Sequence, residues 1–124
     1  MKILVMQFLI FLFISFSPPP QTDSVVEWLT PVEHDYGDIK LNTPAKVVFR
    51  FKNTSSGPLT IDNVRSTCGC TASDWEEKVI EPGTESEIKI EYDAKKPGYF
   101  YKKITVFFSN QRKPEKLSIT GFVE

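Results

Sequence analysis

Apolar and polar side chains alternate along most of the chain after Val25. In the run Ser86–Asp93, Ile88, Ile90 and Tyr92 fall on one side, and the intervening Glu and Lys residues fall on the other. This period of two is typical of β-strands with one buried face and one solvated face. The pattern predicts about seven strands: Val32–Tyr36, Ala45–Lys52, Leu59–Val64, Lys78–Ile80, Ser86–Asp93, Tyr99–Phe108 and Lys116–Val123.

Turn-forming residues separate these runs. Pro82-Gly83 and Pro97-Gly98 are typical of type II turns, because proline presets φ and glycine accepts the positive φ that follows. No run of useful length shows the period of a helix. We therefore predict that residues 25–124 form a single all-β domain, an immunoglobulin-like antiparallel β-sandwich of about seven strands. A small barrel is the alternative fold.

The first residues form a different kind of segment. Lys2 precedes Ile3–Phe16, in which every side chain is apolar except Gln7 and Ser15. One positive charge followed by such a run is typical of a secretory signal, and the run is shorter than the roughly 20 residues of a membrane span. We expect residues 1–24 to be a signal peptide with a Pro-rich spacer, whose cleavage position stays open. The mature chain is then exported and has no stable membrane span.

Charge and composition narrow the classes of function. The chain carries 15 basic and 16 acidic side chains, so it lacks the basic surplus with which proteins bind nucleic acid. One histidine, His34, and two cysteines provide little material for catalysis, and no serine or cysteine has a recognisable partner for a catalytic triad. We expect a protein that is not an enzyme, has no cofactor and binds no nucleic acid.

The strongest chemical signal is Cys68-Gly69-Cys70, which contains both cysteines of the chain. In an extended segment, side chains at i and i+2 point to the same side, so the two sulfur atoms are expected to be neighbours. Export would place them in an oxidising compartment, and one interpretation is a local disulfide, with Gly69 supplying the unusual backbone dihedrals of a small ring; the redox state of the pair stays open. Closing so short a loop stabilises the fold by only about 1.6 kcal/mol in the chain-entropy model.

Three interpretations of this motif stay open. The cysteine pair is structural and packs at a strand end; or it is redox-active, since a strained bridge is easily reduced; or Cys68 and Cys70 bind Cu(I) as two thiolates. Zinc suits the chain less well, because a structural zinc site needs four ligands and His34 is the only histidine. We expect the structural role.

Several short segments resemble, in their order along the chain, the bacterial DUF1573 family, a domain of unknown function. The resemblance covers roughly residues 28–124. The segments that carry it are His34–Ile39, Phe51–Thr54, Ser66–Thr71, Ile80–Gly83, Gly98–Phe100, Ser109–Asn110 and Leu117–Val123.

The resemblance implies a compartment and a fold, because members of this family are exported immunoglobulin-like sandwiches, common in Bacteroidetes-type bacteria. Their Cys-Gly-Cys signature corresponds to Cys68, Gly69 and Cys70 here. The family has no settled activity. We therefore expect an exported, non-enzymatic module in the periplasm or at the cell surface of a Gram-negative bacterium. It would have a structural or protein-interaction role, with another envelope protein as partner. The alternatives are a Cu(I)-binding protein and a thiol–disulfide redox protein.

Overall fold

The structure is a computed structural model that describes residues 24–124 together with Ser15. The signal-peptide prediction for residues 1–24 lies outside the described residues, apart from Ser15 and Ser24. Within the described part, eight strands form and no helix does. They are β1 (Val26–Trp28), β2 (Glu33–Ile39), β3 (Ala45–Asn53), β4 (Ile61–Ser66), β5 (Thr71–Trp75), β6 (Glu85–Tyr92), β7 (Gly98–Phe108) and β8 (Glu115–Val123).

The strands form two four-stranded sheets, which pack face to face as a sandwich. The first sheet has the order β1-β3-β6-β5, and the second sheet has the order β2-β8-β7-β4. Each sheet buries its inner face against the other, as expected for strands with a period of two. The prediction of an all-β, immunoglobulin-like sandwich is confirmed.

The strand predictions differ from the structure in three places. The two strands β1 and β5 were not predicted, because β1 has only three residues and β5 has small and polar side chains in place of alternating large apolar ones. The predicted strand Lys78–Ile80 forms only one bridge, between Ile80 and Leu59. Strand β2 runs parallel to β8, whereas every other pair is antiparallel.

The inward-facing apolar side chains of the alternating runs form the core. Phe51, Ile88, Ile104 and Ile119 have no exposed surface at all, and each stabilises the fold by about 1.5–3 kcal/mol through burial. Lys89, between two buried isoleucines, is exposed. The predicted register of β6 is therefore confirmed.

Contacts at the ends of the strands connect the sandwich. Gly83 and Gly98 have φ values of +80° and +107°, as the two Pro-Gly turns predict. The Tyr36 hydroxyl donates a hydrogen bond to the Ala45 carbonyl over 3.2 Å, which joins β2 of the second sheet to β3 of the first. Burial, with a smaller contribution from Glu91, raises the pKa of Tyr36 to about 12. This hydroxyl therefore keeps its proton across the physiological range.

Candidate functional site

The Cys-Gly-Cys motif lies where the chain crosses from one sheet to the other. It follows Ser66, the last residue of β4, and precedes Thr71, the first residue of β5. Strand β4 is an edge of the second sheet and β5 is an edge of the first. The motif therefore occupies the open side of the sandwich, where two edge strands are connected by four residues.

Three hydrogen bonds hold this crossover in place. The Ser66 hydroxyl donates to the Cys68 carbonyl over 2.7 Å, and the Thr67 amide donates to the Lys103 carbonyl over 3.3 Å. On the other side, the Asp93 amide donates to the Cys70 carbonyl over 3.0 Å. The loop is thus attached both to β7 of the second sheet and to the end of β6 in the first sheet, independently of the cysteine side chains.

The two sulfur atoms are joined in a Cys68–Cys70 disulfide, with the Cα atoms 5.3 Å apart, a separation within the usual range for such bonds. The Thr71 hydroxyl lies 3.8 Å from the Cys68 sulfur and 4.0 Å from the Cys70 sulfur. Gly69 corrects one expectation: it has no positive φ, and a Cβ at this position would meet no atom within 4 Å. The backbone here therefore does not require glycine.

A pocket of about 300 Å³ opens at the disulfide. Besides the motif itself, its walls are Tyr92, Asp93 and three lysines, Lys95, Lys96 and Lys102. Among residues 24–124, the only ion pairs closer than 4.0 Å are Arg50–Glu85 and Lys78–Glu76. The described part of the chain therefore places no carboxylate directly on these three ammonium groups, and three positive charges against one negative charge make the pocket basic.

Tyr92 forms an apolar wall of this pocket. Its ring stacks on Phe100 with 3.9 Å between centroids and 15° between planes, and only 3% of the residue is exposed. Burial raises the pKa of the Tyr92 phenol, and the negative charge of Asp93 acts in the same direction. The phenol therefore stays neutral, and it adds no negative charge to the basic pocket.

A second feature lies on the outer face of the second sheet, where three aromatic side chains face solvent. Tyr99 is 83% exposed, Tyr101 54% and Phe122 40%. Tyr99 and Phe122 are cross-strand partners in β7 and β8, and their rings lie 6.0 Å apart at 63° to each other. We call these three residues the aromatic patch.

Carboxylates border the aromatic patch along β2. The parallel register places Asp38 beside Phe122, Asp35 beside Thr120 and Glu33 beside Ser118, and all three acids are exposed. We call Glu33, Asp35 and Asp38 the acidic row. Sequence analysis missed this site, because its acidic row lies on β2, far along the chain from β7 and β8, which carry the aromatic patch. The available signal was the position of Tyr99, Tyr101 and Phe122 in the alternation, where polar residues are expected.

Two further observations concern the described residues alone. No group of three His, Cys, Asp or Glu side chains in residues 24–124 is arranged to share a metal ion. No helix long and apolar enough to cross a membrane occurs in that part of the chain.

The one histidine of the chain, His34, lies half-buried in β2. Its ring packs edge-on against that of Tyr36, with 4.7 Å between the two centroids.

Comparisons with known proteins give a family and a fold. The sequence model of the family described as "Protein of unknown function (DUF1573)" matches residues 28–123. No curated protein matches the chain.

The solved structures that resemble the chain share its fold at low sequence identity. A protein of unknown function from Porphyromonas gingivalis W83 matches with a TM-score of 0.67 and 17% identity, over 79% of this chain and 46% of that chain. This chain thus spans about half the length of that protein. The ASH/PapD-like domain of human CEP192 matches with a TM-score of 0.69 and 10% identity, over 90% and 95% of the two chains. WR4, an MSP family member of Caenorhabditis elegans, matches with a TM-score of 0.56 and 11% identity, over 82% and 99%.

Proposed function

The chain belongs to the DUF1573 family, and from this premise we propose that it is an exported, non-enzymatic immunoglobulin-like module that binds another protein of the bacterial cell envelope. The observation that carries the proposal is the aromatic patch. The apolar leader Ile3–Phe16 supports export. The similarity to a Porphyromonas gingivalis protein supports a bacterial setting.

The exposure of the aromatic patch favours a binding role. Soluble proteins seldom leave large apolar side chains side by side in water, and such groups mark interaction sites. Tyrosine is also enriched among the residues that dominate interface energies, because its ring buries a large area at low entropic cost. Tyr99 contacts Phe122 across the strands, but 83% of its surface stays exposed. Most of its ring is therefore free for a contact with another molecule.

The acidic row gives the partner a chemical character. A partner with Lys or Arg side chains would meet the carboxylates of Asp35 and Asp38 and the faces of the neighbouring rings at the same time. Cation–π contacts of this kind stabilise a complex by about 0.5–1 kcal/mol each at exposed sites. Because Tyr99 and Phe122 lie at 63°, they do not form the flat platform on which a sugar ring stacks. A basic protein segment therefore suits the surface better than a glycan.

Site-specific cross-linking tests this interface. A photo-reactive amino acid at position 99, on the aromatic patch, should give one dominant adduct with an envelope protein in the native bacterium. The same amino acid at position 89, on the outer face of the first sheet, is the matched control and should give none. The Phe122→Ala change should reduce the adduct from position 99. Equal adducts from both positions, or none from position 99, would contradict the proposal.

N-terminal sequencing of the mature protein tests export separately. We expect the mature chain to lack Ile3–Phe16 and to be recovered outside the cytoplasm. A protein that begins at Met1 in a soluble cytoplasmic fraction would refute export while leaving the aromatic patch to be tested by itself.

A further inference from the structure

We propose that the Cys68–Cys70 disulfide is a thiol-exchange site that reacts preferentially with small thiols carrying negative charge, such as thiols that bear carboxylate groups. This site is separate from the aromatic patch, so the inference goes beyond the proposed binding function and does not depend on it. The observation that carries it is the juxtaposition of the disulfide with three lysines in one pocket.

The charge around the disulfide selects the reactant. Lys95 and Lys96 are exposed and Lys102 is half-buried, and all three line the pocket that contains both cysteines. Asp93 is the one carboxylate among the lining residues, so the net charge of the lining is positive. A basic concave surface raises the local concentration of anionic reactants and accelerates their encounter.

Reduction proceeds in two balanced steps. An anionic thiolate attacks one sulfur of the disulfide, forms a mixed disulfide with that cysteine and expels the other cysteine as a thiolate. A second molecule of the same thiol then attacks the small-molecule sulfur of the mixed disulfide. The two small molecules leave joined as a disulfide, and the cysteine is released as a thiolate. The two electrons come from the two small thiols, and both cysteine sulfurs finish as thiols after taking up protons. The reverse sequence reoxidises the pair.

The packing of the two cysteines assigns the attacked sulfur. Both cysteines are half-buried, but of the two only Cys70 is packed against the core. The incoming thiolate therefore attacks the Cys68 sulfur, and the Cys70 sulfur leaves. The Thr71 hydroxyl lies 3.8 Å from the Cys68 sulfur and 4.0 Å from the Cys70 sulfur, so it can donate a hydrogen bond to whichever thiolate forms. The three lysines that line the same pocket also favour the thiolate over the thiol.

The fold can accommodate the opened form. The hydrogen bonds that hold the crossover run from Ser66, Thr67 and Asp93 to backbone carbonyls, so none of them uses a cysteine sulfur. A short loop of this kind also contributes little stability through its disulfide. Exchange is therefore a local event at the open side of the sandwich that leaves both sheets intact.

Reduction kinetics with small thiols of different charge test the proposal. The oxidised protein, at low ionic strength, is treated with 2-mercaptoethanesulfonate, 2-mercaptoethanol or cysteamine, and the reduced fraction is followed by mass spectrometry after acid quenching. Each rate is divided by the thiolate concentration. It is then divided by the rate at which the same thiol reduces a small uncharged disulfide, so that the intrinsic reactivity of the thiol cancels. We expect the anionic thiol to react about tenfold faster than the cationic one. Added NaCl at about 0.5 M, where the Debye length is about 4 Å, should abolish the difference.

Two variants of equal net charge locate the effect. The triple variant Lys95→Gln, Lys96→Gln, Lys102→Gln should lose the preference. The matched control Lys52→Gln, Lys78→Gln, Lys113→Gln removes the same charge outside the lining of this pocket and should keep it. Three results would overturn the proposal: equal normalised rates for the three thiols in the wild type, a preference that both triple variants share equally, or reduction only under denaturing conditions. The salt series on the wild type decides the question even where a variant fails to fold.

Discussion

The outer faces of the two sheets differ in how their exposed side chains are matched. On the first sheet, charges of opposite sign face each other across the strands. Val48 is the only exposed large apolar residue in β3, β5 and β6. The cross-strand pairs are Lys46↔Glu91, Arg50↔Glu87, Lys52↔Glu85 and Asp74↔Lys89. These four pairs contain four charges of each sign, so the outer face that they form is suited to water.

The outer face of the second sheet has no such balance around the aromatic patch. Tyr99 and Phe122 pair across the strands with each other, and the next strand adds only carboxylates, of which Asp38 lies beside Phe122. Lys103, beyond Tyr101 on β7, is the nearest outward-facing cation along that strand. The comparison teaches that the outer faces of two four-stranded sheets can differ in chemistry: the first is covered by charges of matched sign, and the second exposes apolar area beside carboxylates, on which the proposed binding of a partner rests.

The largest effect is expected where the two sheets are equivalent, at their inner faces. Ile90→Ala in the first sheet and Ile104→Ala in the second should each lower the free energy of unfolding by about 2–5 kcal/mol, because each leaves a cavity in a core without solvent access. Urea unfolding of both variants measures it. A large loss from one sheet and almost none from the other would contradict the shared core.

The second sheet has a closely packed site that gives a smaller effect. A Cβ at Gly121 would lie 2.8 Å from the Phe100 ring and 3.1 Å from the Gly37 carbonyl oxygen. Gly121→Ala should therefore lower the free energy of unfolding by about 1–3 kcal/mol through overpacking. Gly57→Ala is the matched control, since a Cβ there meets nothing within 4 Å. Comparable losses from the two changes in thermal unfolding would argue against a steric cause.

The crossover between the sheets should tolerate loss of its disulfide. Replacing Cys68 and Cys70 together by serine should leave a folded domain, destabilised by no more than about 1–2 kcal/mol on the loop-entropy estimate. Denaturant titration of the variant beside the oxidised wild type measures this. Tight uptake of one Cu(I) by the reduced wild type but not by the variant would favour the copper alternative.

The smallest change in stability is expected on the two outer faces. These faces should differ in how they bind a partner and not in how much they stabilise the fold. Lys89→Ala and Tyr99→Ala should each alter the free energy of unfolding by less than about 0.5 kcal/mol, since both side chains are exposed. Only Tyr99→Ala should weaken binding of an Arg-rich peptide, by about two- to fivefold for one lost cation–π contact. Isothermal titration measures both variants. Equal weakening by Lys89→Ala would remove the distinction between the faces.

Local patterns account for the parts of the fold that were predicted. The positions of Phe49, Ile88 and Ile119 in an alternating run are enough to assign them to the core, because the side-chain period of a strand is a property of its own backbone. The same reasoning failed for β5, whose residues Thr71–Trp75 lack large alternating apolar groups. It pairs with β6, and that pairing depends on a distant segment.

The sequence by itself thus determined the fold class, the inward and outward positions along β6, the two Pro-Gly turns and the neighbouring positions of the Cys68 and Cys70 sulfur atoms, since each depends on residues close together in the chain. Only the tertiary structure decided which strands are neighbours. The parallel pairing of β2 with β8 brings Asp38 beside Phe122, and the crossover from β4 to β5 brings Cys68 beside Lys102. Both candidate sites arise from such long-range pairings, because strand order depends on how the apolar faces of the whole chain are buried together and not on any one segment.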